Sequence, residues 1–276
     1  MRAKELLQAG RLEEAMAELE RNVRASPADV TLRIFLFQLL AVLGDWRRSL
    51  TQLNVAAELE PQHTLMACIC RAPLNCEALR AEVFAGRRTP LIFGEPEPWV
   101  GDLVLACRLV ADEDYLAAQR LREQALAAAP AVRGRLDGKS FSGLGDADSR
   151  LGPVLEAIVE SKYYWVPFSA LQRVRIETPP TDLRDLVWIP ATFTWINGGE
   201  AGGFIPTRYP GSELDRDDAV KLARKTMWSE KPGGTFLGLG QRTFMTDQDD
   251  IPLLEMRDLQ LHRSAEDSGE SEQSNA

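Results

Sequence analysis

The chain has 276 residues, 45% hydrophobic and 26% charged, with a formal net charge of −9. That length and balance suit one large or two ordinary domains with a packed core, and the acidic excess argues against a nucleic-acid partner, which needs clustered lysines and arginines. The amino-terminal MRAKELLQAGRLEEA lacks an apolar signal-peptide core, and the longest apolar stretch, about Val30 to Leu43, contains Arg33 and Gln38 and is too short to span a bilayer. A soluble, cytoplasmic protein without membrane insertion is expected.

The first half repeats. Gly10 and Gly44 are 34 residues apart, and so are Ala15 and Ser49, Leu19 and Leu53, and Pro27 and Pro61. That is the length of a tetratricopeptide helix pair. DEDYLAAQRLREQALAAAP is a third copy, with Ala118 and Pro130 offset by 69 from Ser49 and Pro61. Small residues let the second helix of each pair approach its neighbour, and each proline marks a stop. VTLRIFLFQLLAVLG and WVGDLVLACRLVADE read as first helices covered on two sides. The segment from His63 to Gly86 is predicted as an irregular pair broken near Pro73, and RRTPLIFGEPEPW as a loop with Pro98 opening the next helix.

After Val132 the texture changes. GRLDGKSFSGLGDADSR reads as a Gly-rich linker, and PVLEAIVES as a short helix. YYWVPF, ALQRVRIET, DLVWIPATFTWI and GGFIPTRY are rich in β-branched and aromatic residues and read as strands. In LQRVRIE, Leu171, Val174 and Ile176 oppose Gln172, Arg173 and Arg175 after one slip of the alternation. ELDRDDAVKLARKT is the one predicted helix, and TFLGLGQRTFMT and PLLEMRDLQLH resume strands. The predicted fold class is α+β: tetratricopeptide-like helical repeats, then a mainly antiparallel β domain with one helix. The predicted divisions are a helical domain at 1–133, a linker at 134–150, a β-rich domain at 151–262 and a disordered acidic tail at 263–276.

Chemistry is sparse. The two histidines, His63 and His262, join no nucleophile and base set, and phosphate loops, nucleophile elbows and zinc helices are missing. Cys68, Cys70, Cys76 and Cys107 lack paired CxxC spacing and read as buried reduced thiols rather than a metal site. Gly238 and Gly240 lie between strand-like runs, which favours a bulged strand over a dinucleotide turn. Asp247, Asp249 and Asp250 lack the glycine and glutamate of a calcium loop and read as a hairpin turn. Asp146, Asp148, Asp182 and Asp185 are the carboxylates that a hydrolase or metal-dependent enzyme would have to use; as loop and turn residues they need neither metal nor cofactor, and none is predicted.

Four blocks occur in order after Asp146: DADSRLGPVLEAIVESKYYWVPF, PPTDLRDLVW, IPTRYPGS and GLGQRTFMTDQDDIPLLEMRDLQL. With the helical first half they resemble the ImpE/TagJ family over roughly residues 1 to 262. The resemblance implies a non-enzymatic accessory protein of type VI secretion. It implies binding to an N-terminal helical segment of the small sheath subunit TssB and a link to the sheath-disassembling ATPase ClpV. It transfers no catalytic residue. The repeat register supplies a surface: Thr31, Ile34, Gln38 and Val42, then Val100, Leu103 and Cys107, face the inside of a helix-pair stack, where an amphipathic partner helix could lie. The competing surface is aromatic, with Tyr163, Trp165 and Trp188 as anchors.

Overall fold

Helices α1 (Arg2–Gln8), α2 (Leu12–Ala25), α3 (Val30–Val42) and α4 (Trp46–Leu59) are followed by the long α5 (Thr64–Phe84). A two-residue strand β1 (Leu91–Ile92) precedes α6 (Pro98–Ala111) and α7 (Tyr115–Ala128). The computed structural model describes residues 2–95 and 97–262; the expected disordered tail at 263–276 lies outside them.

Recurrent local devices start and stop these helices. Asp29, Asp45 and Asp114 each accept the backbone N–H three residues on, from Leu32, Arg48 and Ala117, at 3.1 to 3.2 Å. Such caps satisfy N–H groups that a helix start leaves unpaired. At the other end, Gly44 adopts φ +75° while Asp45 N–H donates to the Leu40 carbonyl at 2.9 Å. This is a Schellman closure, which needs a left-handed residue. The same closure ends α1 at Gly10 and α5 at Gly86, but α6 ends on Glu113, with φ +61°.

The first half is helical, as expected, and departs from the expectation at α5. That segment is one 21-residue helix running through Pro73, not a broken pair. Pro73 has no N–H for the Ile69 carbonyl, yet its ring is buried and the helix continues on both sides.

The second half is strand-rich. It contains β2 (Arg133–Leu136), β3 (Lys139–Phe141), β4 (Leu144–Asp146), β5 (Val154–Val159), β6 (Lys162–Pro167), β7 (Leu171–Arg175), β8 (Trp188–Trp195) and β9 (Glu200–Pro206). Then come α8 (Asp218–Lys221), β10 (Thr226–Lys231), β11 (Thr235–Gly240), β12 (Thr243–Thr246), β13 (Asp250–Pro252) and β14 (Asp258–His262). Nine strands form one sheet in the order β1-β6-β5-β9-β8-β7-β14-β2-β3, antiparallel except for the parallel β1·β6 pair. A three-stranded sheet, β13-β12-β4, and the β10–β11 hairpin sit beside it.

Three expectations are corrected here. The predicted linker at 134–150 holds β2, β3 and β4. Its Gly134 serves close approach, since a Cβ there would lie 1.9 Å from the Gln260 carbonyl oxygen. The predicted helix PVLEAIVES is β5, all six of whose residues are buried; a short apolar run covered on both faces has no period to mark it as a strand. The predicted helix over 213–226 shrinks to four residues, with a 3-10 turn at Ser212–Leu214 before it. The slip in LQRVRIE is real: pairing with β8 shifts between Leu171 and Arg173, a β-bulge.

Side chains alternate across the large sheet. Ile158, Tyr163, Trp165 and Trp188 share a core with α3, α5 and α6, while Leu155, Val166, Ile189 and Phe193 build a second core with β14 and β2. The helices therefore form a layer on one face of the sheet, and the first core is continuous between the two halves.

Glu113 should be the weak helix end. Glu113→Gly relieves the left-handed strain and is expected to stabilise the fold by about 0.5–1 kcal/mol. Thermal unfolding should then rise by about 1–2 °C; a lower midpoint would show that the Glu113 backbone is not strained.

Candidate functional site

Charge is buried where the two halves meet. Helix α5 turns Glu77 and Arg80 inward, β5 supplies Glu156, the end of β4 supplies Asp146, and Arg242 precedes β12; all five are less than 9% exposed. Arg80 donates to both oxygens of Glu156, at 2.7 and 3.1 Å, and to the Arg208 carbonyl at 2.7 Å. Arg242 spans the opposite side, pairing with Glu156 and with Asp146. The Tyr163 hydroxyl donates to Glu156 at 2.6 Å and accepts from Trp165 Nε1 at 2.8 Å. Trp188 Nε1 donates to Glu77 at 2.6 Å.

The two central carboxylates titrate in opposite directions. Burial pushes Asp146 up to about 6, and the single guanidinium of Arg242 only partly offsets it. Burial also acts on Glu156, but Arg80 and Arg242 together overcome it and hold the carboxyl at about 2. Among the described residues every buried side-chain nitrogen and oxygen has a hydrogen-bond partner.

The four carboxylates of the enzyme reading are all engaged within the chain. Asp146 accepts from the Tyr209 hydroxyl at 2.9 Å besides pairing with Arg242. Asp148 receives Arg150 at 2.6 and 2.8 Å and the Gly238 N–H at 2.7 Å. Asp182 and Asp185 form a capping box on the 3-10 helix Leu183–Leu186, and Asp182 also pairs with Arg184 at 2.9 Å. Asp247 closes the turn between β12 and β13, as expected for that run, and accepts from the Ser142 N–H and hydroxyl, both at 2.7 Å. Cys70, Cys76 and Cys107 are buried thiols, as read, but Cys68 is exposed.

Neither surface expected from the sequence survives whole. Val42, Val100 and Leu103 are at most 1% exposed and present nothing to a partner, and Cys107, 2% exposed, contributes only to the floor of a cleft. The face of α3 that a stacked array leaves open is covered by Leu183–Leu186, and Arg208 donates to the Val42 carbonyl at 2.8 Å. The inner face of α6 lies in the same core as Phe84 and Trp165. Thr31 remains exposed on α3, with Ile34 and Gln38 half-buried. The aromatic alternative is corrected too: Tyr163, Trp165 and Trp188 are at most 2% exposed and form core, with indole and phenol groups bonded internally.

A concavity does open on the helical side. A cleft of about 430 Å³ separates the end of α5 from α6. One wall is Val83 with Arg87, Arg88 and Thr89; the other is Val104, Leu105 and Arg108. Cys107 and Trp165, one residue from each expected surface, form its floor. Leu105 is 46% exposed at the rim. Sequence reasoning missed this cleft because its walls come from two helices and a loop with no shared period. It also missed Glu77 and Arg80, although a Glu-x-x-Arg pair inside an apolar helix is a legible sign of buried pairing. Among the described residues no helix is long and apolar enough to cross a membrane.

Comparisons with known proteins agree with this architecture. Residues 138–260 match the family described as ImpE protein. The chain is 49% identical over 259 residues to the type VI secretion system accessory component TagJ of Pseudomonas aeruginosa, covering 94% of this chain and 90% of that protein. The crystal structure of protein VPA1032 from Vibrio parahaemolyticus superposes with a TM-score of 0.87 at 27% identity, covering 96% of this chain and 99% of the other.

Two variants probe the buried charges. Glu156→Gln leaves two guanidinium groups short of a counter-charge and should cost about 3–5 kcal/mol in urea unfolding. Asp146 works through pH. Its folded pKa of about 6 lies above the ordinary 3.8, so its contribution is fully present below 3.8 and lost as pH rises through 6. Glu156, at about 2 against 4.5, contributes above 4.5 and loses it as pH falls through 2. Asp146→Asn should therefore remove the stability that the native protein gains between pH 6 and pH 4, read as the difference between the two melting curves against pH; parallel curves would show that Asp146 does not take up its proton in that window.

Proposed function

Because the chain belongs to the ImpE/TagJ family of type VI secretion accessory proteins, we propose that it is a cytoplasmic, non-enzymatic adaptor that grips an N-terminal helix of the sheath subunit TssB and links the sheath to the ATPase ClpV. The observation that carries this reading is the 49% identity to TagJ across nearly the whole chain. The geometry is in keeping with it. Asp146, Asp148, Asp182 and Asp185 are spent on arginines, a tyrosine hydroxyl and backbone N–H groups rather than aimed into a shared cleft. The pairs α3–α4 and α6–α7, each with an aspartate cap on its second helix and a left-handed closure on its first, support a tetratricopeptide-like ancestry for the helical layer.

The inner face of that layer is filled by the chain's own sheet, so a partner helix has to sit elsewhere. The α5–α6 cleft is the seat that the structure favours. It has helical walls, an apolar floor and a half-exposed leucine at its lip, which suit the anchor residues of an amphipathic helix. The accessible remainder of the expected groove, exposed Thr31 with half-buried Ile34 and Gln38, is the other seat on offer.

Titration of a TssB N-terminal peptide into the full-length protein distinguishes these seats. Leu105→Asp is expected to weaken binding by about tenfold or more, or about 1.4 kcal/mol, with Ile34→Asp close to native. The reverse pattern moves the seat to α3. Failure of the native protein to bind either the TssB peptide or the ClpV N-terminal domain would sink the adaptor reading.

A further inference from the structure

The first half of α5 has an apolar stripe that no described residue covers. Leu65 is 71% exposed and Ile69 45%, Cys68 is exposed, and Ala72 is half-buried. These positions are i, i+3, i+4 and i+7, the spacing of a helix face that packs against another helix. Ala67 and Cys70, on the opposite side of the same turns, are in the core. The stripe is thus a second apolar face on a helix whose first face is already satisfied. The cost of leaving a leucine 71% in water is the feature that needs explaining.

The ends of the stripe carry opposite charges. Glu60, with Glu58 close by, is exposed before the first turn, and Arg71 is exposed near the last. Their present contacts are short-range and open to solvent: Glu60 meets His63 at 3.2 Å, and Arg71 donates to Asn54 at 3.0 Å. An antiparallel two-fold axis near Ala67 lays Leu65 of one copy over Ile69 of the other, and the reverse. Glu60 ends α4 one 3-10 turn (Pro61–His63) before α5, so it lies beyond the amino-terminal end of the stripe, whereas Arg71 lies near its carboxy-terminal end. Acid then meets base at both ends, and the surface is complementary to itself, as an isologous contact requires.

We propose that a second copy of this chain docks on the Leu65–Ala72 face of α5, forming an antiparallel two-fold dimer closed by Leu65–Ile69 and Glu60–Arg71 contacts. The stripe is short, well under the roughly 1,200–2,000 Å² of a standard interface, so the dimer is weak, with a Kd on the order of 100 μM. The proposal stands apart from the sheath reading, because it uses neither the α5–α6 cleft nor the exposed face of α3.

Cys68 supplies a built-in reporter, being the exposed thiol of the four cysteines. A short bis-maleimide added to the full-length protein should cross-link it to a dimer at high concentration. The product should be lost in Cys68→Ser and strongly reduced in Ile69→Asp and Leu65→Asp, whose side chains are exposed and leave the far-ultraviolet circular dichroism unchanged. Sedimentation at increasing concentration should show the same order. Glu60→Arg and Arg71→Glu should each weaken self-association by about threefold to tenfold, and the double variant should restore it. A protein that stays monomeric at about 1 mM, a cross-link indifferent to Ile69→Asp, or a double variant no better than either single one would overturn the proposal.

Discussion

Glu156 lies in the middle of a strand whose neighbours on both sides are apolar, and it holds guanidinium groups from two directions. Arg80 reaches it from the helical layer and Arg242 from the small three-stranded sheet. A carboxylate removed from water is tolerable only when its partners replace the lost hydration, and here two cations, a phenol and good geometry do so. The value of such an arrangement is in specificity. Exchanged for apolar residues of equal volume, it could be as stable, but nothing would then dictate which turn of α5 sits over which residue of β5. Glu77 with Trp188, and Arg208 with the Val42 carbonyl, fix the same seam at two further points.

That seam explains why the inner face of the helical layer does not act as a groove. In an open solenoid, the first helix of each pair lines a concave surface. Here the surface is roofed by the 3-10 helix Leu183–Leu186 and by the aromatic face of the nine-stranded sheet, which joins α3, α5 and α6 in one core. What remains for recognition lies at the margins: the α5–α6 cleft, the exposed turns of α3 and the outer stripe of α5. The carboxylates that an enzyme would have to use are parts of the seam or of caps. Their perturbed titration arises from burial and ion pairing, which shift a pKa at structural sites as readily as at catalytic ones.

Features governed by neighbours in sequence were legible. The Pro98 helix start, the bulge in LQRVRIE and the turn at Asp247 all express constraints acting within a few residues. The misreadings share a different cause. Gly134 looked like flexibility, yet it is small because the Gln260 carbonyl passes where a side chain would be. Asp137 and Gly138, both with positive φ, are a hairpin signal that the surrounding glycines hid. Pro73 looked like a helix stop, but packing on both sides carried the helix through it.

The sequence by itself determined a helical first half, a strand-rich second half and the family, because repeat spacing, proline stops and ordered motifs are local and survive without knowledge of what packs on them. Only the tertiary structure decided that the two halves share a core, that Val42, Leu103 and Trp188 face inward, and that Leu65 and Ile69 face water. An apolar side chain looks the same in sequence whether its neighbour is solvent, a partner or a sheet a hundred residues away. Which of these covers it is settled by burial summed over the whole chain, with Glu156 and its two arginines fixing the register.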